Sequence, residues 1–322
     1  MEITSNVNFV LKNANSTVIE LISGQQAIHE LQKTDDYIQN FSSFDIQTRV
    51  KSSSATLEDY FHLIAQHVLP WDETSTQSIS SCINNINTIC IDQVKLLTFP
   101  SNIFVVLTDG KDENNAAYCR NDNIIVLPIS MVIAEAIKTI FIHELFHIWS
   151  RYDTNTNIRN ELYASIGYYQ IPEENSHQFP EDLSALKLTN PDAPLVMKYY
   201  INLKKLTDSN EKTYKCTPIL IATRQFDPKF STNMFAYVMP TTLILDDDTY
   251  EPLKPLQFLP YNKASNFYVQ IGKNTGYTVH PEEISAEHFV LWMTKMNYLN
   301  TLNSPDVIDK MNQIMIRAAN HF

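Results

Sequence analysis

The sequence predicts an α+β fold, on three observations. Residues 1 to about 95 carry apolar side chains at three- and four-residue spacing, the period shortens to two between 102 and 128, and the next stretch is apolar on nearly every face. The last pattern belongs to a helix packed inside a protein. The chain has 322 residues, of which 44% are apolar and 19% charged, so it can bury a sizeable core and has the balance of a globular protein.

In the first region, LISGQQAIHELQKTDDYIQNF and LEDYFHLIAQHVL read as helices, interrupted by Pro70-Trp71 and the Ser/Thr cluster DETSTQSISS. NIFVVLTDG (102–110) is a short β-rich run closed by the turn pair Asp109-Gly110. AAYCRNDNIIVLP (116–128) offers a strand pair about Asn121-Asp122-Asn123. From Ser130, a good N-cap, MVIAEAIKTIFIHELFHIWSRY is expected to run as one long buried helix. A second helix is expected over 157–169. Residues 214–275, rich in Tyr, Phe, Thr and Pro, contain the alternating patches FAYVMPTTLIL and NFYVQIG and read as a β-rich insertion. Within it, DDDT (246–249) lacks the glycine and distal glutamate of a calcium loop and reads as an acidic hairpin tip. Pro281, at the favoured first helical position, opens a final helical region, PEEISAEHFVLWMTKMNYL. The organisation expected is a helical region over 1–98, a small sheet and buried helix over 99–170, the insertion over 171–275, and a helical end over 276–322.

Several function classes drop out. A net charge of -12 with no basic run argues against nucleic acid, whose affinity comes from clustered Lys and Arg. Five glycines leave no material for a glycine-rich phosphate loop. No apolar stretch is long enough to span a bilayer. The segment MEITSNVNFVLKNANSTVIE lacks the basic start and unbroken apolar run of a secretory signal. Cys82, Cys90, Cys119 and Cys216 are too few and scattered for a disulfide scaffold. The location expected is cytoplasmic, or outside the cell by an export route that needs no such signal.

The chemistry concentrates in FIHELFHIWS (141–150), where His143, Glu144 and His147 interrupt an otherwise apolar run. On a helix, residues four apart share a face, so both histidines can hold one ion. Glu144 is rotated by about 100° and reaches water on the ion rather than the ion itself. A chain of this size and composition would show H-E-x-x-H by chance about once in a hundred. The strands and buried helix around it supply the setting that chance does not. A catalytic zinc needs three protein ligands and an open position. HExxHxxGxxH is absent, so the third ligand lies elsewhere. Glu161, fourteen residues past His147, and Glu283, which shares a helix face with Glu287, are the main candidates; Glu282 and His288 remain open. If Glu283 binds the metal, Glu287 is placed to accept a hydrogen bond from a liganded histidine, and Glu282, about 100° away, should face elsewhere.

HELFH resembles the gluzincin clan, the thermolysin-like metallopeptidases, in which a downstream E-x-x-x-D supplies the ligand glutamate and an acid that orients a histidine. EISAE (283–287) is similar, with Glu287 in place of the usual Asp. HELFHIWSR, LYASIGY, NPDAP and NTGYTVHPEEISAEHF together resemble an uncharacterised group of bacterial zinc peptidases over roughly residues 100–295. The separation of more than 130 residues between His147 and Glu283 exceeds that of thermolysin-like enzymes. The resemblance implies a zincin-like core, Zn²⁺ held by His143, His147 and Glu283, Glu144 as general base, and Glu287 supporting a histidine. The insertion would then lie between the two metal-binding helices.

Tyr277, just ahead of the third-ligand helix, is a candidate to stabilise a developing oxyanion. Arg159, Tyr163 and Tyr168 are weaker candidates of the same kind, and His280 is expected to cap the helix begun by Pro281. The function expected is zinc-dependent hydrolysis of peptide bonds in a peptide or protein substrate. Its rivals are an effector protease cutting one host protein, suggested by an Asn- and Ile-rich, Gly-poor composition, and a zincin-like binding module without catalysis. The oligomeric state is not legible.

Overall fold

The computed structural model describes residues 7–175, 178–207, 212–294 and 302–320. The N-terminal segment, expected to be mostly helical, first supplies two strands, β1 (Val7–Val10) and β2 (Val18–Ile22). VNFV and VIELI are rich in β-branched residues and largely alternate in burial, and the pairing of β1 with β2 and of β2 with a strand far along the chain decides their state. β3 (Asn102–Thr108), β4 (Tyr118–Arg120) and β5 (Ile124–Pro128) complete a five-stranded sheet of order β1-β2-β3-β5-β4. β2, β3 and β5 run parallel, with β1 and β4 antiparallel at the edges. IIVLP in β5 is buried along its whole length because helices cover both faces of the sheet.

One face carries α1 (Gly24–Leu31), α2 (Asp36–Gln39), α3 (Ser43–Val50) and α4 (Leu57–His67), packed through Leu31, Tyr37, Tyr60 and Ile64 on Val106 and Val126. The other face carries α5 (Glu73–Ile89) and α6 (Ile91–Val94), joined in the main core by the later helices. Reciprocal capping by Ser42 with Asp45, Thr56 with Asp59 and Asp72 with Ser75 fixes where α3, α4 and α5 begin.

The single long helix expected from Ser130 is two helices. α7 (Ile129–Val132) ends, and α8 (Ile137–Arg151) starts afresh after Ala136. No helix breaker marks the gap. The Val132 carbonyl accepts from the Ser78 hydroxyl of α5 at 2.5 Å, so a tertiary contact takes an acceptor the helix would have used. Ser130 does not cap; its hydroxyl bonds Asn115. α9 (Thr156–Ser165) stops short of the expected 169, because Gly167 takes φ +85° and the chain enters β6 (Tyr168–Gln170).

α10 (Glu181–Ser184) precedes β7 (Tyr199–Lys204), β8 (Thr213–Ala222) and β9 (Val238–Ile244), which form an antiparallel sheet with β6 in chain order. In the DDDT turn after β9, Asp246 Oδ1 accepts from the amides of Asp248 and Thr249. NFYVQIG, read as a strand, is instead a short helix, α11 (Phe267–Ile271), which buries Phe267 and Ile271 one turn apart and ends at Gly272. α12 (Pro281–Met293) and α13 (Pro305–Ala319) follow; residues 295–299 of the expected final helix lie outside the described residues. α12 lies against α8, with Phe289 5.3 Å from Phe146 and 6.3 Å from Trp149 between ring centres. All four cysteines are buried thiols. Among the described residues no helix is long and apolar enough to cross a membrane.

Candidate metal centre

α8 turns His143 and His147 toward the first turns of α12, with ring centres 4.9 Å apart. α12 begins where it does because His280 Nδ1 accepts the Glu282 amide at 3.1 Å and Pro281 occupies the first turn. That start delivers Glu282 and Glu283 to the histidines. Glu283 Oε2 lies 3.1 Å from His143 Nε2 and 3.6 Å from His147 Nε2. Two donors each about 2.1 Å from a shared ion, in tetrahedral arrangement, are about 3.4 Å apart. The observed separations bracket that value. His143, His147 and Glu283 thus form a group able to hold a metal ion, with ligand atoms within 4.8 Å of one another.

The far side of each ring is also held. His143 Nδ1 is 3.1 Å from Glu287 Oε1, and His147 Nδ1 is 2.8 Å from Glu282 Oε1. A carboxylate only accepts, so each Nδ1 carries the proton and each Nε2 faces Glu283. His147 Nε2 is buried and makes no hydrogen bond. An orphaned imidazole nitrogen beside a carboxylate oxygen is what a metal would satisfy, and the donor set of two imidazoles and one carboxylate fits a divalent cation.

The electrostatics point the same way. Burial pulls the His143 imidazole down, but hydrogen bonds to Glu283 and Glu287 prevail and raise it to about 10. Burial likewise opposes charge on His147, and Asp192, Glu283 and Glu282 overcome it, placing it well above its usual range. Burial would raise Glu283, yet the His147 and His143 charges hold it well below the usual carboxylate range. Glu287 is lowered by its bond to His143. The cluster demands positive charge, supplied by protons on the imidazoles or by a cation between them.

Glu144 is buried and turned toward β4. Its Oε2 lies 3.4 Å from Cys119 Sγ, and the Cys119 amide donates to Asp192 Oδ1 at 2.8 Å. Burial, then the neighbouring Asp192, lift Glu144 to about 7. Burial also raises Asp192 and the Cys119 thiol. Tyr277 sits at the mouth, its ring 6.4 Å from that of His143 and 46% exposed. The Glu283 charge raises its phenol, which therefore stays a proton donor.

Glu161 is not brought to the histidines; it is exposed on α9 and paired with Arg317 of α13. Glu282 does not face elsewhere. It is buried, and besides His147 it accepts from Ser150 at 2.5 Å and from Tyr163. Tyr163 therefore supports a histidine through Glu282. Arg159 donates to the Ser150 carbonyl near the end of α8, and Tyr168 is buried on β6 beside Tyr261. His288 is buried with both ring nitrogens unpartnered, and burial lowers it to about 4. Sequence reasoning missed Asn190, which donates to Glu283 Oε1 at 2.6 Å, and Asp192. Both lie in NPDAP, a turn-forming run that entered the sequence reading only as one segment of the resemblance, with no role for either residue.

Comparison with protein-family models, curated proteins and solved structures gives no match.

Proposed function

We propose that this chain is a zinc-dependent peptide hydrolase of the gluzincin type. The observation that carries the reading is the convergence of His143 Nε2 and His147 Nε2 on one oxygen of Glu283, with a buried carboxylate, Glu144, on the same helix. The same donor trio suits ferrous iron. Glu144 favours zinc, because hydrolysis needs a proton acceptor beside the ion and one-electron chemistry does not. A zinc ion held there would polarise the scissile carbonyl and make water acidic enough to attack near neutral pH.

The chain's own residues do the rest. Glu144, poised near 7, accepts the proton of the attacking water and returns it to the departing amine. Tyr277, protonated and at the mouth, donates to the carbonyl oxygen as negative charge develops there. Glu282 and Glu287 keep the imidazoles oriented.

Purified protein is expected to carry about one zinc per chain by elemental analysis and to cleave members of a mixed peptide library. Glu144→Gln is expected to keep the zinc and the fold while losing at least about 100-fold in rate, because an amide cannot take the proton. Stoichiometric zinc without cleavage of any peptide would make the chain a binding module. Wild-type rate in Glu144→Gln would remove the mechanism.

A further inference from the structure

Glu283 uses its two oxygens differently. Oε2 faces both histidines, whereas Oε1 accepts from Asn190 Nδ2 at 2.6 Å. Asn190 is itself fixed, since its Oδ1 accepts the Asp192 amide at 3.0 Å and its carbonyl accepts the Ala193 amide at 3.2 Å. With its oxygen so engaged, the amide group must present its NH₂ to Glu283.

The preceding residue ties this turn into the body of the protein. Thr189 N donates to Asp45 Oδ1 at 2.8 Å, and its hydroxyl lies 2.8 Å from Asp45 Oδ2. Asp45 is fully buried and held by Arg49 Nη1 at 3.0 Å, while Arg49 is clamped on Glu113 through Nε at 2.8 Å and Nη2 at 2.5 Å. On the other side the Leu188 amide bonds the Leu220 carbonyl of β8 at 3.0 Å. The turn is anchored to α3 and to the second sheet at once, so Asn190 approaches Glu283 from a rigid mount.

We infer that Asn190 is a positioning residue that keeps Glu283 a one-oxygen ligand, with the Thr189–Asp45–Arg49 tie holding it in register. This rests on the metal-centre reading above. A carboxylate whose second oxygen is claimed by an amide cannot swing both oxygens onto an ion, so a coordination position stays free for water or substrate. The N-terminal helices thereby contribute to the site without touching it.

The probe is cobalt(II), whose visible absorption is intense when four-coordinate, weaker when five-coordinate and weakest when six-coordinate. Affinity is read by competition with a chromophoric chelator. Asn190→Asp keeps the acceptor for the Asp192 amide but replaces the donor to Glu283 with a second carboxylate oxygen, which repels it. It is expected to lose about 10- to 100-fold in cobalt affinity and to change the absorption, with circular dichroism and melting close to wild type. Asn190→Ala is expected to lose absorption intensity as Glu283 becomes free to bind through both oxygens. Thr189→Val, which leaves every group at the centre in place, should shift affinity in the same direction by a smaller factor. Wild-type affinity and spectrum in both Asn190 variants would overturn the inference alone. A wild-type chain that takes up no cobalt, or a His143→Ala chain that takes up as much as wild type, would overturn the centre and the inference together.

Discussion

Glu282 and Glu283 are adjacent in the chain yet embrace the same ring, Glu282 Oε1 at His147 Nδ1 and Glu283 Oε2 near His147 Nε2. Neighbours on a helix point about 100° apart, but two long side chains at that angle straddle an imidazole set between them. Glu282→Ala is therefore expected to weaken zinc binding by about 10- to 100-fold, and Glu161→Ala to leave it unchanged, both read by chelator competition. Equal affinity in Glu282→Ala and wild type would mean that this contact does not orient His147. The divergence from the sequence reading has a clear cause. His143, Glu144 and His147 were legible because their spacing is set by one helix. Glu283 and Glu287 were legible as a pair for the same reason. Which other carboxylate reached a ring depended on how α12 lies against α8, and Asn190 depended on a turn brought from a third place; no local period encodes either.

Elements followed local sequence where local chemistry decides them and departed where neighbours intervene. The β4–β5 hairpin, the start of α12 and the capped helices α3 and α4 sit where turn residues, Pro281 and capping pairs place them, whereas the Ser/Thr cluster at 72–81, expected to interrupt the helices, instead opens α5 through the Asp72–Ser75 capping pair. The α7–α8 break and the helical α11 are tertiary decisions, made by Ser78 on Val132 and by the burial of Phe267 and Ile271. The cap of α12 has a pH signature. Burial pushes His280 down to about 4, whereas an unfolded histidine titrates near 6.5. Between those values the unfolded chain binds a proton that the folded cap refuses. Stability from this group is present above about 6.5 and is lost as pH falls toward 4. His280→Asn also caps but does not titrate. Its loss of stability between pH 7 and 5 should be smaller than that of wild type, by about 1 to 2 kcal/mol. Parallel melting curves over that range measure the difference, and identical slopes would show that His280 does not titrate with folding.

The whole molecule places charge where most proteins place hydrocarbon. Between the helices α1 to α4 and the sheet lie Arg49, Asp45, Glu113 and Arg120, all buried, with the Arg49 guanidinium 5.4 Å from the Tyr37 ring centre and 5.1 Å from that of Phe41. The sequence showed amphipathic helices here but gave no sign that their inner faces carry ions, because Arg49 and Asp45 are one turn apart and read equally well as a solvated pair. It also hid β1 and β2, because β2 pairs with β3 across about eighty intervening residues and β1 in turn pairs with β2. The network matters because an unpaired ion in a dry interior is costly, even where a complete network is worth little net. Arg49→Ala would strand both Glu113 and Asp45 and is expected to destabilise the fold by about 3 to 5 kcal/mol in denaturant unfolding. Arg49→Lys keeps the charge but not the fork that spans Asp45 and Glu113, so it should fall between Arg49→Ala and wild type. The control is the pair Lys310 and Asp306 on α13, both more than half exposed at 53% and 67%, where Lys310→Ala should cost less than about 1 kcal/mol. If Arg49→Ala costs no more than Lys310→Ala, the buried network does not hold the helices to the sheet, and the rigidity of the turn carrying Asn190 must come from β8 alone.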